Sequence, residues 1–211
     1  ISRYSASDQF ETGLHGAYGM RYNVHTNKKM TGGIAIGQVL RLNDDPGFTS
    51  SSGLEKKQSD IFLAAELSLP YASYISFQGL LGSNFKTKKT NFNAGFDYKT
   101  LYLDTNYSFL QADSEEHRLN PIEEWTISTG HKINYNWDVK SNLRYDQTES
   151  HLASLGAGLA YENQCVLVNL EMDRRYSLEG TSPPTTNFSF AISLKGFSTS
   201  KVTAISEKSC K

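Results

Sequence analysis

From residue 12 to residue 197 the chain alternates apolar and polar positions with a period of two, the signature of strands with two unlike faces. Even positions from Thr12 to Val24 read Thr, Leu, Gly, Tyr, Met, Tyr, Val, and the odd positions between them include His15, Arg21 and Asn23. Phe92, Ala94, Phe96 and Tyr98 oppose Asn91, Asn93 and Asp97, and Leu101, Leu103, Tyr107 and Phe109 oppose Tyr102, Asp104, Asn106 and Ser108. Trp137, Val139, Leu143 and Tyr145 oppose Asp138, Lys140, Asn142 and Arg144 in the same way. The pattern predicts about eleven strands of roughly ten residues, the length that crosses a bilayer at a tilt. No stretch carries a helical period. The expectation is an all-β, antiparallel, up-and-down transmembrane barrel.

The connections sort by length. Short ones are expected at 25–28, 70–72, 99–100, 134–136 and 162–164, and longer ones at 43–58, 85–89, 112–121, 146–150 and 177–185. Strict alternation of short and long is what a membrane barrel shows, with tight periplasmic turns and larger external loops. Tyr22, Tyr74, Tyr98, Trp125, Trp137, Tyr145 and Tyr161 fall toward strand ends, where aromatic girdles meet the lipid–water boundary. An odd strand count does not close a single-chain barrel of the usual even kind, so part of the barrel wall is expected upstream of Ile1. Residues 1–197 are assigned to the barrel and 198–211 to a polar tail.

Composition narrows the function. The 211 residues carry 21 basic and 22 acidic side chains, which offers no field for nucleic acid. Twelve Tyr and eleven Phe against five Pro favour strands. No GxSxG, HExxH or P-loop appears, and His15, His25, His117, His131 and His151 are scattered, so neither catalysis nor a cofactor is expected. The two cysteines, Cys165 and Cys210, lack metal-ligand spacing. Asn91, Asn93, Asp97, Asp104, Asn106, Ser108, Thr126, Ser128, Asn142, Asn169 and Glu171 would line a wet lumen, which a porin-type diffusion channel would share. The run Asp113-Ser114-Glu115-Glu116 reads as a solvated acidic stretch on an external loop.

Two stretches carry a family resemblance. Arg3-Tyr4-Ser5-Ala6-Ser7-Asp8-Gln9 resembles the LptD barrel segment Arg-Phe/Tyr-Ser-Gly-x-Asp-Arg, matching at Arg3, Ser5 and Asp8 and departing at Ala6 and Gln9. Tyr161-Glu162-Asn163-Gln164-Cys165, then Arg174-Arg175-Tyr176, Pro184-Thr185-Thr186 and a closing strand ending Leu194-Lys195-Gly196-Phe197, are similar to that family's C-terminal end. The resemblance implies an outer-membrane lipopolysaccharide translocon. Its implied partners are lipopolysaccharide, outer-membrane lipid, a lipoprotein plug of the LptE kind and periplasmic bridge proteins. It also implies a lateral gate bordered by Asn187, Phe188, Ser189, Phe190, Ala191, Ile192, Ser193 and Leu194, and a disulfide from Cys165 to a periplasmic domain. Cys210 could pair with Cys165, pair elsewhere or stay free. Arg3, Ser5 and Asp8 could form a charge-assisted network in the wall or belong to a solvated loop. An outer-membrane enzyme is the remaining alternative.

Overall fold

A computed structural model of the chain describes residues 13–26, 29–44, 47–177 and 183–195. It contains one antiparallel sheet of eleven strands in sequence order, each hydrogen-bonded to its chain neighbours. The strands are β1 His15–Thr26, β2 Met30–Arg41, β3 Ile61–Leu69, β4 Ser73–Leu81, β5 Thr87–Tyr98 and β6 Leu101–Leu110. They continue as β7 Ile122–Lys132, β8 Trp137–Asp146, β9 His151–Glu162, β10 Val166–Arg175 and β11 Thr185–Leu194. Among the described residues the only helix is a single 3-10 turn, Ser50–Ser52. No helix among these residues is long and apolar enough to cross a membrane. The predicted all-β, up-and-down architecture is thus present, as an open sheet whose edges are β1 and β11. Arg3, Ser5 and Asp8, the tail 198–211 and Cys210 lie outside the described residues.

The register turns the alternation into two faces, because directly paired residues point the same way. On one face a row runs Phe77, Phe92, Tyr107, Trp125, Tyr145 across β4 to β8. On the other, the adjoining row runs Ser76, Asn93, Asn106, Thr126, Arg144. All eleven residues expected to line the lumen share this second face.

Burial excludes an ordinary soluble core. Among the described residues, only Val39, Phe48, Phe62 and Leu80 are buried hydrophobics, while twenty-seven large apolar side chains stand exposed. A water-soluble domain of this length would bury most of them.

The turns follow the expected sorting. Tight connections span 27–29, 70–72, 99–100, 133–136 and 163–165, and the others span 42–60, 82–86, 111–121, 147–150 and 176–184. The sorting is weakest at 147–150, a tight turn despite belonging to the long set. Residues 87–89, expected in a loop, instead start β5, where Lys89 pairs with Leu80 and with Leu110. Pro183 and Pro184 precede β11 directly, the strand-start position where a missing N–H costs least.

Candidate functional site: the two-faced wall and its outer cap

The apolar face carries two aromatic rows. Near the long loops Tyr107 and Trp125 meet at 4.9 Å between ring centroids. Near the short turns Tyr71 packs edge-on against Tyr98 at 4.8 Å, and Trp137 meets Tyr161 at 4.9 Å. On β8, Trp137 and Tyr145 are eight residues apart, about 27 Å along a strand. A tilt of about 40° reduces that to roughly 20 Å, close to the apolar band of an outer-membrane barrel. From β4 to β9, no described Asp, Glu, Lys or Arg stands on this face between the rows.

Tyr74 departs from the expected girdle. Its register with Gly95 puts it on the polar face, where its hydroxyl donates to the Asp104 carboxylate. The ring crosses Gly95, where an added Cβ would stand 2.8 Å from Tyr74 Cε1. Glycine at that position leaves the space through which Tyr74 reaches the next strand.

The polar face is a connected network. Asn106 Nδ2 donates to Asn91 Oδ1 at 2.6 Å and Asn93 Oδ1 at 2.5 Å, while Ser108 Oγ donates to Asn106 Oδ1 at 3.0 Å. Asn93 Nδ2 continues the chain to Ser76 Oγ at 3.3 Å. Arg21 pairs with Glu66 at 2.5 Å and Arg144 with Glu124 at 2.7 Å. Uncharged amides and hydroxyls therefore occupy the middle of this face, with ion pairs on either side.

Toward the long loops the same face turns apolar, because the 42–60 loop folds over it. Phe62 pairs with Leu80 there, and Phe48 comes down from the loop to lie 4% exposed under the Arg41 guanidinium, 4.9 Å from its ring centre. Gly53 closes the 3-10 turn at φ 72°, and a Cβ there would stand 2.7 Å from Leu80 Cδ2. Left-handed backbone and close approach both require glycine at this position.

The 111–121 loop latches this cap. Ser51, 2% exposed, donates its amide to Asp113 Oδ2 at 3.0 Å, and Thr49 Oγ1 donates to Glu116 Oε1 at 2.6 Å. Arg118 Nη1 holds the other Glu116 oxygen at 2.7 Å. Lys88 ties the cap to β5 by donating to the Ser50 carbonyl at 2.5 Å and pairing with Asp60 at 2.7 Å. The acidic run is thus not simply solvated. Asp113 is 7% exposed, and its carboxylate organises both loops.

The latch responds to pH. Hydrogen bonding by the Ser51 side chain outweighs the cost of burial and, with the Ser51, Glu115 and Glu116 amides, lowers the Asp113 carboxyl from 3.8 to about 2. Glu116 is also lowered, first by the Thr49 hydroxyl and then by Ser51 and Arg118. A carboxylate depressed on folding stabilises the cap fully above its unfolded pKa and ceases to do so as pH falls through the folded one. Hydrogen exchange at the Ser51 amide should accordingly show full protection at pH 5 and progressive loss from about pH 4 to pH 2.

At the opposite end of the sheet, Asn163 Oδ1 accepts the Cys165 and Val166 amides at 2.9 and 2.7 Å, shaping the tight turn before β10. The Cys165 carbonyl accepts from Lys195 N at 2.8 Å, and the Lys195 ammonium pairs with Glu162. Cys165 is disulfide-bonded. Peptide mapping without reductant should therefore find Cys165 closed to alkylation, and opened by dithiothreitol.

The family described as "LptD: LPS transport system D" matches residues 1–137. The chain belongs to the LptD family. A search of curated proteins returned no match. Membership in the LptD family joins an outer-membrane, all-β wall to lipopolysaccharide transport, a transport and assembly role rather than a catalytic one. The two faces agree with that membership. The apolar one suits lipid, and the polar one suits a wet interior.

Proposed function

We propose that this sheet forms part of the barrel of a lipopolysaccharide translocon, which delivers its cargo to the outer leaflet. Acyl chains travel along the apolar face, sugars move past the amide and hydroxyl face, and the cargo leaves through an opening bordered by β11. Strands outside the open sheet complete the wall. A lipoprotein plug sits in the lumen, and periplasmic bridge proteins dock on the side of the short turns. The Cys165 disulfide lies on that side, where it would tie the barrel to Cys210 or to a periplasmic domain.

The family match carries this reading, and the mid-face network of Asn91, Asn93, Asn106 and Ser108 supports it. Amides and hydroxyls exchange hydrogen bonds with sugar hydroxyls without trapping them as a field of one charge would. Depletion of the protein tests the proposal. Surface lipopolysaccharide should fall while small-solute uptake persists. Loss of uptake with surface lipopolysaccharide intact would identify a diffusion channel instead.

A further inference from the structure

The apolar face of β1 to β4 is not a plain lipid-facing wall. Three cavities follow one another along it. The upper one, about 830 Å³, lies at the base of the 42–60 loop and is lined by Lys56, Lys57, Asp44, Glu55, Gln58 and Gln38, with Ile61 below them. Below it, grooves of about 380 and 370 Å³ share Tyr22, Ile34, Ala65 and Phe77. Register makes them one track. Gln38, Ile36 and Ile34 descend the same face of β2, and Ile61, Leu63 and Ala65 descend that face of β3.

The track is polar at one end and apolar at the other. Tyr18 Oη donates to Gln38 Oε1 at 2.5 Å, Gln58 Nε2 donates to the same oxygen at 3.3 Å, and Gln38 Nε2 donates to the Ser59 carbonyl at 3.1 Å. Directly below, the walls rise as Tyr22 and Phe77 over a floor that includes Gly32 and Ala65. From Gln38 to Gly32 is six residues on β2, about 20 Å of strand. At a tilt of about 40° this spans roughly 15 Å of depth, half the hydrocarbon thickness of a bilayer. The polar cavity then stands at headgroup level of the leaflet beside the long loops, and the grooves reach its midplane.

We propose that this track is a binding site for one lipopolysaccharide molecule on the outer wall, with an acyl chain in the grooves and the phosphorylated sugar headgroup in the upper cavity. Lys56 and Lys57 supply cations for phosphate. Gln58, Asp44 and Glu55 supply amide and carboxylate groups for sugar hydroxyls. The several amide and carboxylate groups beside the two lysines match the many hydroxyls of a phosphorylated sugar headgroup, and the phosphatidylglycerol arm of the test below measures the competing phospholipid. The inference rests on the proposed function above. It assigns to β1–β4 a holding position for cargo in the outer leaflet, separate from the β11 edge.

Site-specific photocrosslinking in the full-length protein with its partners, in vesicles containing both lipopolysaccharide and phosphatidylglycerol, tests it. Ala65→p-benzoylphenylalanine reports on the groove, and Ala157→p-benzoylphenylalanine reports on plain wall of the same face. Heat-modifiable gel mobility confirms that each variant is folded. Lipopolysaccharide adducts should form several-fold more at position 65, and Lys56→Gln with Lys57→Gln should bring that yield down to the level at 157. Equal yields at the two positions, phosphatidylglycerol as the main adduct at 65, or a yield unmoved by the lysine changes would each overturn the site. If depletion spares surface lipopolysaccharide the transport reading itself falls, whereas uniform crosslinking with depletion intact removes only this site.

Discussion

Leu170→Arg should destabilise the folded wall by about 2–4 kcal/mol, while Asn169→Arg, one residue away, should cost less than about 1 kcal/mol. Leu170 sits on the apolar face of β10, paired with Leu159 on one side and Phe190 on the other. It lies four residues from Arg174, which marks the outer end of that face, and four from Val166 at the short-turn end. An arginine there stands near mid-depth, where neither end offers its guanidinium an easy route to water. Asn169 stands on the polar face between Ala160 and Ala191, with Asp138 beyond Ala160 in the same row. A guanidinium at 169 has room, water and an acidic neighbour two strands away. Urea unfolding of both variants in lipid vesicles measures the difference directly. A larger penalty at 169 than at 170 would mean that the two faces have been assigned the wrong way round, and equal penalties that neither meets lipid.

How far such a contrast could be foreseen varies along the chain. In β5, β6, β8 and β11 the alternation is clean enough that the residues alone assign each face, and the register agrees at every one of the eleven expected lumen positions. Tyr74 shows where this fails. A tyrosine has an apolar ring and a polar tip, so its type does not choose a face. Its spacing from Ser76 and Gln78 does, and the register follows the spacing. The bare surface of Gly95, which gives the ring its path, leaves no trace in a hydrophobic pattern.

The cap was illegible for a different reason. Nothing periodic marks residues 42–60, and the contacts that fold the loop lie far away in sequence. Ser51 reaches Asp113 and Thr49 reaches Glu116, each more than sixty positions on. An acidic run is usually solvated, and only the approach of a second loop makes Asp113 a buried acceptor. The apolar pairing of Phe62 with Leu80 on an otherwise polar face was a usable signal. Apolar residues at lumen positions near the end of a strand imply that something covers them.

The second large effect concerns β11. A disulfide between Ser189→Cys and a cysteine placed opposite it on the first strand of the complete barrel should reduce lipopolysaccharide delivery to near background, with recovery on reduction. Among the described residues β11 is paired on one side only, to β10, from Thr185–Arg175 to Leu194–Val166. Its outward face carries Phe188, Phe190, Ile192 and Leu194, all exposed. A strand edge facing hydrocarbon leaves amide and carbonyl groups without partners, at several kcal/mol for each group. Under the proposed function that edge is covered when no cargo passes, by a partner that leaves when cargo does. Pro183 and Pro184 stand just before the strand, outside its ladder, and offer no N–H with which pairing could extend beyond Thr185. A covalent bond at Ser189, near the middle of the strand, prevents the separation whatever the ladder contributes. Linking Asn169→Cys to Ala191→Cys supplies the control, since these directly paired positions join β10 to β11 within the continuous sheet. That bond should leave delivery unchanged. Undiminished delivery with the Ser189 lock in place would show that cargo does not leave beside β11, and loss of delivery with both locks would trace the defect to rigidity of the strand rather than closure of its edge.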